Sequence, residues 1–287
     1  MKSALTTTGF IDLLKSRKLT LEDEENAKKL LLHNNYYRLS GYWRKYQINP
    51  DKDENDFVNG ITFEKIFEIY DLDTKLRCLL QKGLGIFEIC FRSVFAYHAA
   101  NAEECGMFSY LEQNTYTDKI SKNEKPEDLL AAIKKELGRS NEKYLTHYRN
   151  INEKVPIWAA VEVLSFGTIS KMYSRWTNKN VLKEIGKSFR ILKDYEHTAK
   201  ILRSLVNLRN LCAHQSRIWN RELVAPVADR KNLQIFGDSK VRAQWRIISI
   251  LMLLVDEINQ NKEYSNEVLN LCKSNEEFYK GLTEPNL

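Results

Sequence analysis

Three residues able to act together on a phosphate fall in one short run, Leu208 to Ser216, LRNLCAHQS: Arg209, Asn210 and His214. A histidine titrates near neutrality and can take up or deliver a proton. An arginine can hold a phosphate through two hydrogen bonds, and an asparagine can orient either partner. The set suits cleavage of an RNA phosphodiester, in which the 2′-hydroxyl attacks its neighbouring phosphate and no metal ion is required. The spacing alone is also that of an arginine and a histidine on an ordinary surface.

Other catalytic signatures are missing. There is no His-Glu-x-x-His, no Walker-type glycine loop and no Gly-x-Ser-x-Gly, and the GLG at Gly83–Gly85 lacks the third glycine of a dinucleotide fingerprint. The 5 cysteines form no Cys-x-x-Cys pair, are odd in number and sit mostly in apolar helical patterns. That argues against a disulfide framework or a zinc site and for a reducing cytosol. No metal and no cofactor is expected.

The elements that must carry the trio read as helices. At about 100° per residue, Ile201, Leu205, Leu208 and Cys212 form one stripe that should face a core, while Arg203, Asn207, Asn210 and His214 fall opposite. Arg209 and His214 lie about 140° apart around such a helix. Either Arg209 reaches around or the helix distorts if both are to touch one ligand. Apolar positions from Thr62 to about Ala100 keep three-and-four spacing, which predicts one long helix with a possible bend at Gly83 and Gly85. An earlier helix is expected to begin at Thr20, an N-cap followed by Asp23 and acidic first-turn residues. Further helices are expected at Glu127–Tyr148, Ile157–Trp176, Val181–Phe189, Tyr195 to about Ser216 and Ser239–Gln260, with a weaker C-terminal pair. Strand-like alternation is nearly absent, and loops are expected at NPDKDENDFVNG, over Asn101–Pro126 and after Asn220, around Pro226. The fold class is therefore all-α.

Composition and charge narrow the function. With 43% apolar and 29% charged residues, 5 prolines and 11 glycines, the 287-residue chain should form a compact globule. The longest apolar run, IISILMLLV at Ile247–Val255, is too short to cross a bilayer, and the N-terminus has no apolar core of signal-peptide length. The chain is +6 overall, yet Lys171–Arg221 alone holds twelve Lys or Arg against three acids, so the basic character is local. Tyr173, Trp176, Phe189 and Trp219 are interleaved with it. A positive field beside flat aromatics is what RNA requires, because phosphates supply affinity and unpaired bases stack. Lys171, Arg175, Lys179, Lys183, Lys187, Arg190, Arg203 and Arg217 are the candidate phosphate contacts; the alternative is a solvated helical face.

The segment LRNLCAHQSRIWNRELVAP, with NNYYRLSGYW (Asn34–Trp43), IFEICFRS (Ile86–Ser93) and VPIWAAVEVLSFGTISKMY (Val155–Tyr173), resembles the Abi family of abortive-infection proteins, the AbiD/AbiF-like group. The likeness runs in order from about Gly9 to Pro226. That family is similar to the HEPN superfamily of all-α nucleases and RNA binders, whose signature of Arg, a polar residue, three variable residues and His is met by Arg209, Asn210 and His214. The resemblance implies a HEPN-like helical bundle, phage defence by toxicity to the host, metal-independent RNA cleavage and a site assembled across a homodimer. It also implies, for some relatives, a small structured non-coding RNA that restrains the toxin. A slow or inactive binder of such an RNA is the alternative. The expected organisation is an N-terminal helical extension, 1–55, packed on a main domain, 56–287, that carries the basic segment 171–221.

Lesser candidates complete the reading. Glu88 and Arg92, four apart on the long helix, form an ordinary ion pair or brace the Arg-His site. Tyr37 and Arg38, with Tyr36 and Tyr42, either grip RNA or pack. Trp158 and Glu162 are expected to start a helix and serve its packing, and His33, His98, His147 and His197 are given no role.

Overall fold

The computed structural model describes residues 4–103, 105–117, 125–192, 194–224 and 236–286. Among them the chain is all-α. In order come α1 (Thr7–Ser16), α2 (Glu24–Asn34) and α3 (Tyr36–Trp43), a two-stranded antiparallel hairpin of β1 (Gln47–Asn49) and β2 (Glu54–Phe57), then α4 (Phe63–Asn101). There follow α5 (Pro126–Arg139), α6 (Lys143–Asn150), α7 (Ile157–Val163), α8 (Phe166–Arg175), α9 (Lys179–Lys187) and α10 (Tyr195–Ala213). The chain closes with α11 (Gln244–Asn259), α12 (Glu263–Lys273) and α13 (Glu276–Thr283). No helix of the described residues is long and apolar enough to cross a membrane.

The spine is α4, 39 residues long, which starts where Thr62 Oγ1 accepts the N–H of Lys65 at 3.2 Å. Its four-residue repeat of Phe87, Phe91 and Phe95 is fully buried and meets Phe166, Tyr173, Trp176 and Phe189 through ring contacts with α8 and the segment after α9. Helices α3, α7, α10, α11 and α12 all pack on it. Residues of α1 to α3 belong to the same apolar core as the rest, Leu14, Leu31 and Trp43 among them. The boundary expected at 55 falls inside β2.

The helix runs through Gly83 and Gly85 without interruption. Gly83 is needed for close approach: a Cβ there would stand 2.1 Å from the hydroxyl of Tyr264, which donates to the Leu79 carbonyl at 3.1 Å. Gly83→Ala is accordingly expected to cost about 1–3 kcal/mol by overpacking, read as a lowered urea midpoint; an unchanged midpoint would refute the contact.

Several boundaries differ from expectation for local reasons. The cap of α2 is Asp23, whose side chain accepts from Asn26 N at 3.0 Å, so the helix starts later than a Thr20 cap would place it. The run 127–148 divides into α5 and α6 because Ser140 and Asn141 follow Gly138, and the Ser140 carbonyl is taken by Arg149 Nη2 at 2.6 Å. The run 157–176 divides at Ser165, which caps α8 through Thr168 N at 3.2 Å, while Glu136 of α5 accepts from the Ser165 N–H at 2.6 Å and the Thr168 hydroxyl at 2.7 Å. The loop expected at NPDKDENDFVNG holds the end of β1, the turn of the hairpin and β2. Pro226 lies outside the described residues.

Candidate active site

Helix α10 begins where Asp194 accepts the N–H of His197 at 2.8 Å, and its apolar stripe seats it in the core: Ile201, Leu205, Leu208 and Cys212 are all fully buried. The opposite stripe, Arg203, Asn210 and His214, is exposed, with Asn207 half-buried. Burial pushes the Cys212 thiol up to about 12, with the Asp73 charge adding to it, so this cysteine is no nucleophile despite its place in the motif.

The helix ends in a Schellman turn centred on the histidine. His214 N–H still donates to Asn210 O (2.9 Å), Gln215 N–H donates to Cys212 O (3.1 Å) and Ser216 N–H to Leu211 O (2.8 Å). Gln215 takes the left-handed position at φ 53, where glycine is usual. A side chain there costs on the order of 1 kcal/mol. Two arginines offset it: Arg38 Nη1 donates to the Gln215 carbonyl at 2.5 Å, and Arg77 Nε to its side-chain oxygen at 3.3 Å. His214 is thus the last helical step before a pinned turn, on the exposed side.

Below that turn lies a buried ionic cluster. The Asp73 carboxylate of α4, with no exposed surface, accepts from Arg77, from the Tyr42 hydroxyl of α3 and from the backbone N–H groups of Ile218 (3.2 Å) and Trp219 (3.1 Å). Burial pushes this carboxyl up, and Arg77, Tyr42 and the two N–H groups oppose that. The cluster ties the segment after the histidine to both α3 and α4.

Arg209 projects to the other side, toward α4. Its Nε lies 4.0 Å from Glu88 Oε2, and its Nη1 lies 3.5 Å from Asn210 Oδ1. Glu88 is also paired with Arg92, which donates in turn to the Val161 carbonyl of α7. The carboxylate therefore joins both arginines, so the pair on α4 is an ordinary intrahelical bridge and also touches the motif. At 4.0 Å the hold on Arg209 is loose, and its side chain is 45% exposed.

The other expected contacts divide. Lys171, Lys179, Lys183, Lys187, Arg190 and Arg203 are exposed, with Lys187 on Glu184 (2.5 Å) and Arg190 near Glu257 (3.8 Å). Tyr37 is 81% exposed and Arg38 holds Gln215. Arg175 is a correction: at 2% exposure it is withdrawn from any surface polyanion, because α8 turns that position into the core. Arg217 is a second: it is half-buried over Gly41, donates to the Asn220 carbonyl at 3.1 Å, and burial lowers its pKa, so it cements α3 to the segment after the motif. The aromatics Tyr173, Trp176, Phe189 and Trp219 are core residues, not stacking surfaces. Trp158, expected to pack, is 51% exposed. Among the described residues no group of three His, Cys, Asp or Glu side chains is arranged to hold a metal ion.

Sequence reasoning missed Asp73, Arg77 and Gln215. The signal for the first two was an Asp-x-x-x-Arg pair on the apolar face of a helix, where ions are rare unless paired.

The family model described as Abi-like protein matches residues 29–220, well over half of the chain. No curated protein and no solved structure matches significantly. The match takes in α3, α4 and the whole of α10 with its motif, so the chain belongs to the Abi-like protein family, a membership that points to abortive-infection defence against phage.

Proposed function

We propose that the protein is a HEPN-type toxin of the abortive-infection class, a metal-independent endoribonuclease acting in the cytoplasm. The observation that carries the reading is the joint exposure of Arg209, Asn210 and His214 at the pinned end of α10. In the proposed step the 2′-hydroxyl oxygen attacks the adjacent phosphorus while the bond to the 5′-oxygen breaks. One imidazole takes the 2′ proton and another delivers a proton to the leaving oxygen. The products are a 2′,3′-cyclic phosphate and a 5′-hydroxyl. Arg209 leaves Glu88 to clamp the phosphate as its charge develops, Asn210 orients the guanidinium, and Glu88 with Arg92 returns it to place.

Two imidazoles call for two chains. Arg209 and His214 point to different sides of α10, and a homodimer that brings two such ends together supplies each histidine with a partner's arginine. Exposed apolar side chains flank the motif in support: Ile89, next to Glu88, is 71% exposed, and Trp158 lies one turn from the Val161 that receives Arg92. Two basic motifs repel in isolation, and a bound phosphate offsets that.

Purified protein with mixed RNA in EDTA is expected to yield fragments ending in cyclic phosphate. RNA that is bound and never cut would favour the second reading, a holder of a small structured non-coding RNA that uses Lys171, Lys179, Lys183, Lys187, Arg190 and Arg203, all exposed.

A further inference from the structure

The motif occupies one end of a longer polar stripe. Lys200, Arg203, Asn207, Asn210 and His214 alternate three and four apart along α10, so they share one face, and none is buried. From Arg203 to His214 the stripe runs about 16 Å at the helical rise of about 1.5 Å per residue.

At its far end lies a cavity of about 630 Å³ between α8, α9 and the first turns of α10. Tyr173 and Trp176 line its interior side, Tyr195 its wall, and Lys179, Lys200 and Arg203 its cationic rim, against the single carboxylate of Glu196. Lys179 Nζ stands 5.7 Å from the centre of the Tyr195 ring, which is half-exposed. The Trp176 indole N–H has no hydrogen-bond partner among the described residues.

These features match one chemical class. A cavity of about 300–1,000 Å³ is the usual size of a small-molecule site, an accessible tyrosine ring suits a base, and an excess of cations suits a phosphate. We propose that the cavity receives one nucleotide of a single-stranded RNA that lies along the exposed stripe of α10, its base against Tyr195 and its phosphate on Lys200 and Arg203. The inference rests on the reading of the motif as an RNA-cleaving site and extends it: the strand is anchored a few nucleotides from the scissile phosphate, and the anchor fixes the register of cutting. The Glu196 carboxylate on the rim can accept from a base amino group.

The test uses single-stranded RNAs carrying 2-aminopurine at successive positions, bound to saturation by the full-length His214→Ala protein. The expected result is a severalfold fall in fluorescence at one position and not its neighbours, kept by Tyr195→Phe and lost by Tyr195→Ala. Lys200→Glu should weaken binding of the same RNA about tenfold, with circular dichroism unchanged since the residue is exposed. Unchanged fluorescence at every position, or an unaltered Kd in Lys200→Glu, would overturn the cavity assignment, as would an acidic peptide that displaces the RNA while Tyr195→Ala leaves the fluorescence profile intact. Cleavage by the native protein is scored separately: a positional signal without cleavage keeps the cavity and removes the nuclease, and cleavage without a positional signal does the reverse.

Discussion

His214→Ala is expected to lower RNA cleavage by about 10²–10⁴-fold, the usual worth of a positioned acid or base, with RNA affinity and thermal midpoint unchanged. The fold should tolerate the loss because the end of α10 is made by backbone bonds, His214 to Asn210, Gln215 to Cys212 and Ser216 to Leu211, all of which an alanine keeps. The side chain itself is exposed and fills no core volume. Cleavage is followed as release of cyclic-phosphate ends from a labelled RNA. Arg209→Lys should show a comparable defect although the charge is retained, since an ammonium cannot form the paired bonds of a guanidinium. Full activity in His214→Ala would end the catalytic reading of this motif.

Asp73→Asn is expected to destabilise the protein by about 3–5 kcal/mol, the cost of breaking a buried ion pair by removing one partner. Arg77, 1% exposed, would be left charged without its counter-ion, and the N–H groups of Ile218 and Trp219 would share a weaker acceptor. Replacing both ions by apolar residues, as in Asp73→Leu with Arg77→Met, should recover much of that loss, since the penalty comes from the orphaned charge. Urea unfolding of the two variants decides the matter: a loss below about 1 kcal/mol in Asp73→Asn would mean that the cluster does not brace the turn beneath His214. Because Arg77 also reaches Gln215, the single variant should loosen the end of α10 first, seen as faster amide exchange at Gln215 and Ser216 than in the α4 core.

Much of the molecule was legible before any coordinates. Burial of Ile201, Leu205, Leu208 and Cys212 and exposure of His214 follow from a period of about 3.6 residues, and the length of α4 follows from the same pattern. Division of the runs 127–148 and 157–176 was signalled by Ser140 and Ser165, whose side chains and carbonyls compete with the helix, but the apolar spacing continues across both breaks and hides them. The basic segment was legible as a count of charges and misleading as a surface. Arg175, Arg217, Tyr173, Trp176, Phe189 and Trp219 all belong to it, and all are buried or half-buried.

By itself the sequence determined that the chain is all-α and which face of α10 carries the Arg-Asn-His set, because both are properties of local periodicity. Only the tertiary structure decided what meets that set. Glu88 reaches Arg209 from a helix more than a hundred positions earlier, Arg38 holds the turn from α3, and Asp73 binds the backbone of Ile218 and Trp219. Those partners are separated from the motif by more than a hundred positions, and packing of α3, α4 and α10 into one core is what brings them together. No spacing rule along the sequence encodes such a meeting.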